Sequence, residues 1–179
     1  TVEKEACTNN LVPTSSTTAQ LVMGDALAVS LLELRGFTTG DFAKIHPGGS
    51  LGKRLYLRVA DIFVHNQVPK VNISESMENI ILEISSKRLG ATAVLQDRKL
   101  VGVITDGDLR RMLEKHTNFK VLKASDIMTS HPKAIQKDQL AVDALGIMKE
   151  NNITQLPVLD GEKYVGVVHL HDILKEGIL

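Results

Sequence analysis

The chain repeats itself, and that constrains its fold more than any other feature. Ala60-Asp61-Ile62-Phe63 returns 65 residues later as Ser125-Asp126-Ile127-Met128. Leu100-Val101-Gly102-Val103-Ile104 returns 64 residues later as Tyr164-Val165-Gly166-Val167-Val168, and Asp108-Leu109 returns as Asp172-Ile173 at the same spacing. Two units of about 60 residues follow, one ending near residue 120 and the other at the C-terminus. A unit of this size cannot bury its apolar surface alone, so the pair is expected to pack sheet to sheet.

Each unit opens on an Asp-Ile-Phe/Met turn and continues as helix, two strands, helix. Met77, Ile80, Ile81 and Ile84 fall at i, i+3, i+4 and i+7 on one helical face, with Ser74 as the expected N-cap. Ala141, Ala144, Leu145 and Met148 show the same spacing in the second unit, with Asp138 near the cap. Ala91–Leu95 with Leu100–Ile104, and Leu156–Leu159 with Tyr164–Val168, are expected hairpins across polar turns. Closing helices are expected over Asp106–Lys115 and Leu170–Lys175. The fold class is α/β (α+β), built from two βαββα-type units.

Residues 1–55 match neither repeat. The hydroxyl cluster Thr14 to Thr18 precedes a helix over Ala19–Arg35, with Gly36 as its stop and the hydroxyls as its cap. Leu21, Val22, Ala26, Leu27, Val29, Leu31, Leu32 and Leu34 leave little of that helix polar, so it is expected to be buried against a larger domain or an oligomer partner. The start at Thr1 without methionine fits a fragment. No continuous apolar run reaches membrane length.

With 43% apolar and 23% charged residues the composition is that of an ordinary globular protein. Lys plus Arg and Asp plus Glu both number 21, giving zero formal net charge. That balance argues against a nucleic-acid or anionic-membrane binder. The single cysteine, Cys7, cannot close an internal disulfide, which fits a reducing, cytoplasmic setting and a packed thiol rather than a nucleophile.

Three places carry candidate chemistry. Thr105 stands where a strand turns into a helix; its hydroxyl and the free N–H groups of the helix start suit a phosphate. Asp108, acceptor-only when ionised, suits two ribose hydroxyls. The competing reading is plain helix capping, which is the commoner role for a threonine in this position. The second unit keeps the carboxylate as Asp172 and puts His169 where Thr105 stands. His169 and His171, two apart on a strand end, are expected on opposite faces, which argues against a metal site. Lys87, Arg88, Arg110, Arg111 and Lys133 are candidate phosphate charges, or simply solvated cations. His46 sits in a glycine-rich loop, His46-Pro47-Gly48-Gly49, where an imidazole can serve as general acid or base, or merely hydrogen-bond the loop.

These residues together resemble a known family. The two repeats resemble a tandem pair of CBS (cystathionine β-synthase) domains, over 56–120 and 121–179. Gly102 to Leu109 is similar to their nucleotide-binding motif, and Gly166 to Ile173 is similar except at His169. Leu11 to Ala28, with Arg35-Gly36-Phe37, Asp41-Phe42-Ala43 and His46 to Gly52, resembles the end of a sugar isomerase (SIS) domain, assigned to 1–55. That order resembles the bacterial D-arabinose-5-phosphate isomerases.

The resemblance implies aldose–ketose isomerisation of D-ribulose 5-phosphate and D-arabinose 5-phosphate, on the way to 3-deoxy-D-manno-octulosonate (Kdo) and lipopolysaccharide. It implies His46 as the catalytic histidine, with the family's Lys and Glu partners outside this chain, so the 179 residues alone are expected to be inactive. It also implies effector binding by Thr105, Asp108, His169 and Asp172, with an adenine nucleotide or CMP-Kdo as effector. No cofactor or metal is required, and a homo-oligomer, dimer or tetramer, is expected. The alternative is a stand-alone nucleotide-binding or dimerising CBS module without enzyme activity.

Overall fold

The computed structural model describes residues 2–46 and 48–178. Thr1, Pro47 and Leu179, and the side chains of Ser50 and Leu51, lie outside the described residues; Pro47, Ser50 and Leu51 belong to the glycine-rich loop singled out from the sequence. The chain divides into two compact units, residues 1–46 and 47–179.

The first unit carries α1 (Ser15–Leu34) and α2 (Thr39–Ile45). Helix α1 begins earlier than its apolar run suggests, and Thr14 makes no side-chain cap. Its start is held instead by Glu5, whose carboxylate accepts from the Thr14 N–H at 2.7 Å and the Ser16 N–H at 3.2 Å. Hydrogen bonding from Ser16 first, then Thr14, lowers the Glu5 pKa to about 2. Thr17 and Thr18 turn their hydroxyls back onto the Thr14 carbonyl, so the hydroxyl cluster is not the cap. Gly36, at φ +61°, ends α1 as its composition requires.

The cover expected for α1 is a larger domain or an oligomer partner, and within this chain none of its described residues is buried, with Leu21 and Leu34 66% and 83% exposed. Over 18 residues its mean hydropathy reaches 1.2, long and apolar enough to cross a membrane by length and composition, a test that core helices of soluble proteins also pass. Continuous apolar runs miss this because Gln20, Gly24, Asp25, Ser30 and Glu33 interrupt them.

The second unit opens with α3 (Ser50–Tyr56) and α4 (Val59–Phe63). The first repeat follows as β1 (Lys70–Asn72), α5 (Met77–Lys87), β2 (Ala91–Gln96), β3 (Lys99–Thr105) and α6 (Asp106–Lys115). A short turn at Phe119–Val121 leads to α7 (Ala124–Ile127) and β4 (Thr129–Ser130). The second repeat is β5 (Ile135–Gln136), α8 (Ala141–Asn151), β6 (Gln155–Asp160), β7 (Lys163–His169) and α9 (Leu170–Lys175).

The repeat is visible in register as well as in order. Val71 pairs parallel with Val94 and Ile135 with Val158, and each hairpin carries the same irregularity, between Val94 and Leu95 and between Val158 and Leu159. Strand order is β1-β2-β3-β7-β6-β5, with β3 and β7 meeting at Lys99 and Lys163. Leu89, Ala93, Tyr164 and Val167 form one buried cluster drawn from both repeats, the expected sheet-to-sheet contact.

Ser76, not Ser74, caps α5, accepting from the Asn79 N–H; Ser74 donates to the Asn72 side chain instead. Met77, Ile80 and Ile84 are buried, whereas Ile81 stays 38% exposed at the margin of the face.

One feature of the packing is not carried by the repeat order. The opening turn of each repeat packs on the other repeat. Val59 and Ile62 of α4 lie in the core of the second repeat with Leu156 and Ile173. Ala124, with Ile127 and Met128 against it, lies in the core of the first repeat with Ile80 and Ile104. Strand β4 completes this by pairing with β3, Gly102 opposite Ser130.

Candidate functional site

The junction of β3 and α6 sets the first site. Thr105 is the last strand residue and the N-cap of α6. Its hydroxyl accepts from the Asp108 N–H at 3.3 Å and donates to Asp108 Oδ2 at 2.7 Å, while the Thr105 N–H donates to the same oxygen at 2.8 Å. This reciprocal box is what T-x-x-D dictates at a helix start. Asp108 is 8% exposed, and its other oxygen, Oδ1, accepts from the Arg111 guanidinium at 2.6 Å.

Of the first amides of α6, the Asp106 N–H donates to the Gly90 carbonyl and the Asp108 N–H to the Thr105 hydroxyl. The positive charge at this site comes from side chains.

Those side chains border a cavity of about 420 Å³, within the usual range for small-molecule sites. Ala91, Val103, Ile153 and Pro157 give it an apolar floor. Thr105, Asp108, Arg111, Thr129, His131, Lys133, Asn151 and Gln155 supply its polar groups. Both repeats contribute, because β4 and the stretch after it cross onto β3. A flat apolar ring fits the floor, a hydroxyl pair fits a carboxylate, and an anion fits Arg111 and Lys133. Of the five cations singled out from the sequence, Arg111 and Lys133 line this cavity, and Arg88 lines a different cleft with Gly90 and Asp106. His131, Asn151 and Gln155 had no signal in the sequence, because only the crossing of the repeats brings them here.

The β7–α9 junction sets the second place. His169 caps α9 through Nδ1, which accepts from the His171 N–H at 3.1 Å. The two imidazoles stack with centroids 5.0 Å apart and 21° between planes. The expectation of opposite faces fails because strand alternation ends at His169 and the helix begins at Leu170. Burial first, then the neighbouring His171 charge, lowers the His169 pKa. Among the described residues no cluster of three or more His, Cys, Asp or Glu is placed to hold a metal. Asp172 Oδ2 accepts from Asn66 Nδ2 at 2.8 Å, and Oδ1 lies 3.4 Å from Lys175 Nζ. Asn66 is a further residue that the sequence did not reveal.

His46 belongs to the first compact unit. It is the C-cap of α2, exposed, with its N–H donating to the Phe42 carbonyl at 2.9 Å and its ring 4.8 Å from that of Phe42. Helix α2 is set by a full box between Thr38 and Asp41, with Lys44 on Asp41 at 2.9 Å. Cys7 is half-buried, and its sulfur accepts from the N–H groups of Leu11 and Val12.

Residues 59–115 and 124–178 each match the CBS domain. The chain belongs to the CBS domain family. Its CBS pair has structural counterparts, among them the pair of the protein MJ0100 in complex with 5′-methylthioadenosine and S-adenosyl-L-methionine. That pair has 25% identity and a TM-score of 0.59, covering 67% of this chain and 94% of that one. CBSX2 in complex with AMP gives 24% identity and a TM-score of 0.56, over 68% of this chain and 96% of that one.

The similarity extends beyond the CBS pair. Over 99% of its length the chain is 47% identical to arabinose 5-phosphate isomerase KdsD of Salmonella typhi, covering 55% of that protein. It is 46% identical to KdsD of Pseudomonas aeruginosa over 99% of this chain and 56% of that one. The chain thus spans about half the length of the curated relatives it matches.

Proposed function

We propose that this chain is the regulatory CBS-pair portion of a D-arabinose-5-phosphate isomerase, binding a nucleotide-type effector at its motif residues. The observation that carries the enzyme reading is identity of 46–47% along 99% of the chain, which reaches outside the two CBS domains. Residues 1–55 are then the end of a sugar isomerase (SIS) domain, and 56–120 and 121–179 are the two CBS domains. The apolar, uncovered α1 supports a partner domain or a second subunit of a dimer or tetramer packed on it. The parent enzyme interconverts D-ribulose 5-phosphate and D-arabinose 5-phosphate in the cytoplasm for Kdo and lipopolysaccharide synthesis.

Isomerisation moves a proton between C1 and C2 through an enediol, which needs an acid/base group beside both carbons. His46 is the candidate for that role. Its partners belong to the half of the relatives that this chain does not span, so the chain alone is expected to be inactive. Turnover of D-arabinose 5-phosphate by the 179 residues would overturn this.

The effector reading rests on the cavity beside Thr105 and Asp108, with its apolar floor and two cations. His169 and Asp172 are the corresponding residues of the second repeat. Titration calorimetry with AMP and with CMP-Kdo tests it: saturable heat with either supports an effector site, and heat with neither overturns it.

A further inference from the structure

The first compact unit ends at His46, and the chain reaches Gly49, the N-cap of α3, three residues later. Three residues span at most about 11 Å even when fully extended. Whatever fixes α3 therefore also limits where His46 can lie.

Helix α3 has seven residues, too few to hold itself in water. Its anchors belong to the second repeat, although α3 precedes the first repeat in the chain. At its far end Leu57 packs on the second repeat's core, which also takes in the fully buried Ile178. The Leu57 carbonyl accepts from the Ala141 N–H at 2.8 Å, at the start of α8. The Arg58 guanidinium donates to the Asp138 carbonyl, and the Val59 and Ala60 N–H groups donate to the Gln139 and Lys137 carbonyls at 2.9 and 2.7 Å. Backbone bonds thus pin the end of α3 to residues 137–141.

The body of α3 is held differently. Gly52 is buried, and Lys53 Nζ donates to Glu176 Oε2 at 2.9 Å, at the end of α9. Among the described residues this is the only side-chain hydrogen bond or ion pair that α3 makes. Both groups are partly exposed, so the pair contributes little to stability. What it supplies is direction. A seven-residue helix is about 10 Å long, so a swing of roughly 10° about its pinned end moves its N-terminus by about 2 Å. An acid/base group misplaced by about 1 Å can lose most of its effect on rate.

We propose that Glu176 is a positioning residue of the isomerase. Through Lys53 it sets the direction of α3, and so the place of the His46 loop that α3 continues. The second CBS repeat is then the one joined to the chemistry, although the first lies nearer in sequence. This rests on the isomerase reading given above, with His46 as the acid/base group.

The test uses the full-length isomerase that carries this chain, with steady-state turnover of D-arabinose 5-phosphate and amide exchange side by side. Glu176→Lys sets two cations against each other. It is expected to lower kcat at least threefold with KM within about twofold, because the pair acts on the placement of His46 and touches no substrate. In the same variant the Lys53 and Leu57 amides exchange faster, while those of α4 and α8 keep their rates. Adding Lys53→Glu to Glu176→Lys restores both readouts. Glu162→Lys, which reverses the exposed pair with Lys99 at 2.8 Å, changes neither. An unchanged kcat in Glu176→Lys, a loss that the double variant does not recover, or an equal loss in Glu162→Lys overturns the positioning role and leaves the isomerase reading standing. No turnover by the unaltered full-length protein overturns that reading and this proposal with it.

Discussion

Thr105 shows how a cap and a binding motif come to share residues. The hydroxyl at the strand end takes the Asp108 N–H, the carboxylate three residues later takes the Thr105 N–H, and the same two groups line the cavity. Thr105→Ala removes one acceptor from α6 and one donor from Asp108. It is expected to cost about 1 kcal/mol, read from urea unfolding, whether or not a ligand binds. The spacing made this box legible in the sequence. Arg111 at the next turn was legible as one of five cations, but which of the five reaches the cavity was not, because that depends on contacts between distant segments.

His169 replaces this hydroxyl with a titratable group. Its Nδ1 accepts from the His171 N–H, so the cap works only while that nitrogen is unprotonated. The charged groups around it are His171, Asp172 and Lys175. Burial lowers its pKa in the folded chain, so as pH falls the unfolded chain takes up the proton first. Stability from this group is full above about pH 6.5 and is lost progressively below it. His169→Thr should therefore lose less melting temperature than the parent chain between pH 7 and pH 5. An equal or larger loss in the variant would rule this out.

Among the elements, the opening turns α4 and α7 decide the architecture. Each lays a bulky side chain on the motif glycine of the opposite repeat. A Cβ on Gly166 would stand 2.7 Å from the Phe63 ring, and a Cβ on Gly102 would stand 2.5 Å from the Met128 sulfur. The Cβ on Gly102 would also stand 3.0 and 3.1 Å from Met128 Cγ and Cβ, and rotating the side chain does not move that Cβ. Gly166→Ala and Gly102→Ala are therefore each expected to destabilise by about 1–3 kcal/mol. Chemical unfolding of the two variants, and of Gly166→Ala combined with Phe63→Leu, checks this; partial recovery in the double variant is the expected sign of coupling.

The glycines and the Asp-Ile-Phe/Met turns were both legible as repeated pairs. Their contact was not, since a repeat shows which segments are alike and says nothing of which copy each touches. Periodicity carried α5 and α8 because their apolar faces are long enough to show the 3.6-residue pattern. It missed β1 and β5, which are too short to alternate; for α1 the absence of a polar face leads to the expectation of a cover from outside this chain, and within the chain none of its described residues is buried.

At the scale of the whole molecule, crossed opening turns make the CBS pair one folding unit rather than two linked ones. The second repeat's core includes Val59 and Ile62, which precede it by more than half its own length, and the first repeat's core includes Ala124, which follows its closing helix. A cut in the exposed stretch at His116–Asn118 separates each core from a part of itself. Residues 48–116 alone lack Ala124, Ile127 and Met128, and residues 117–178 alone lack α4. Neither piece retains enough buried apolar surface for its size, so each is expected to be unfolded by circular dichroism and amide exchange. Mixed in equal amounts they should recover a single cooperative transition, because each then provides the turn that the other needs. Two pieces that each fold alone with native-like exchange protection would mean that the crossed turns are accessory and that each sheet with its own helices is sufficient.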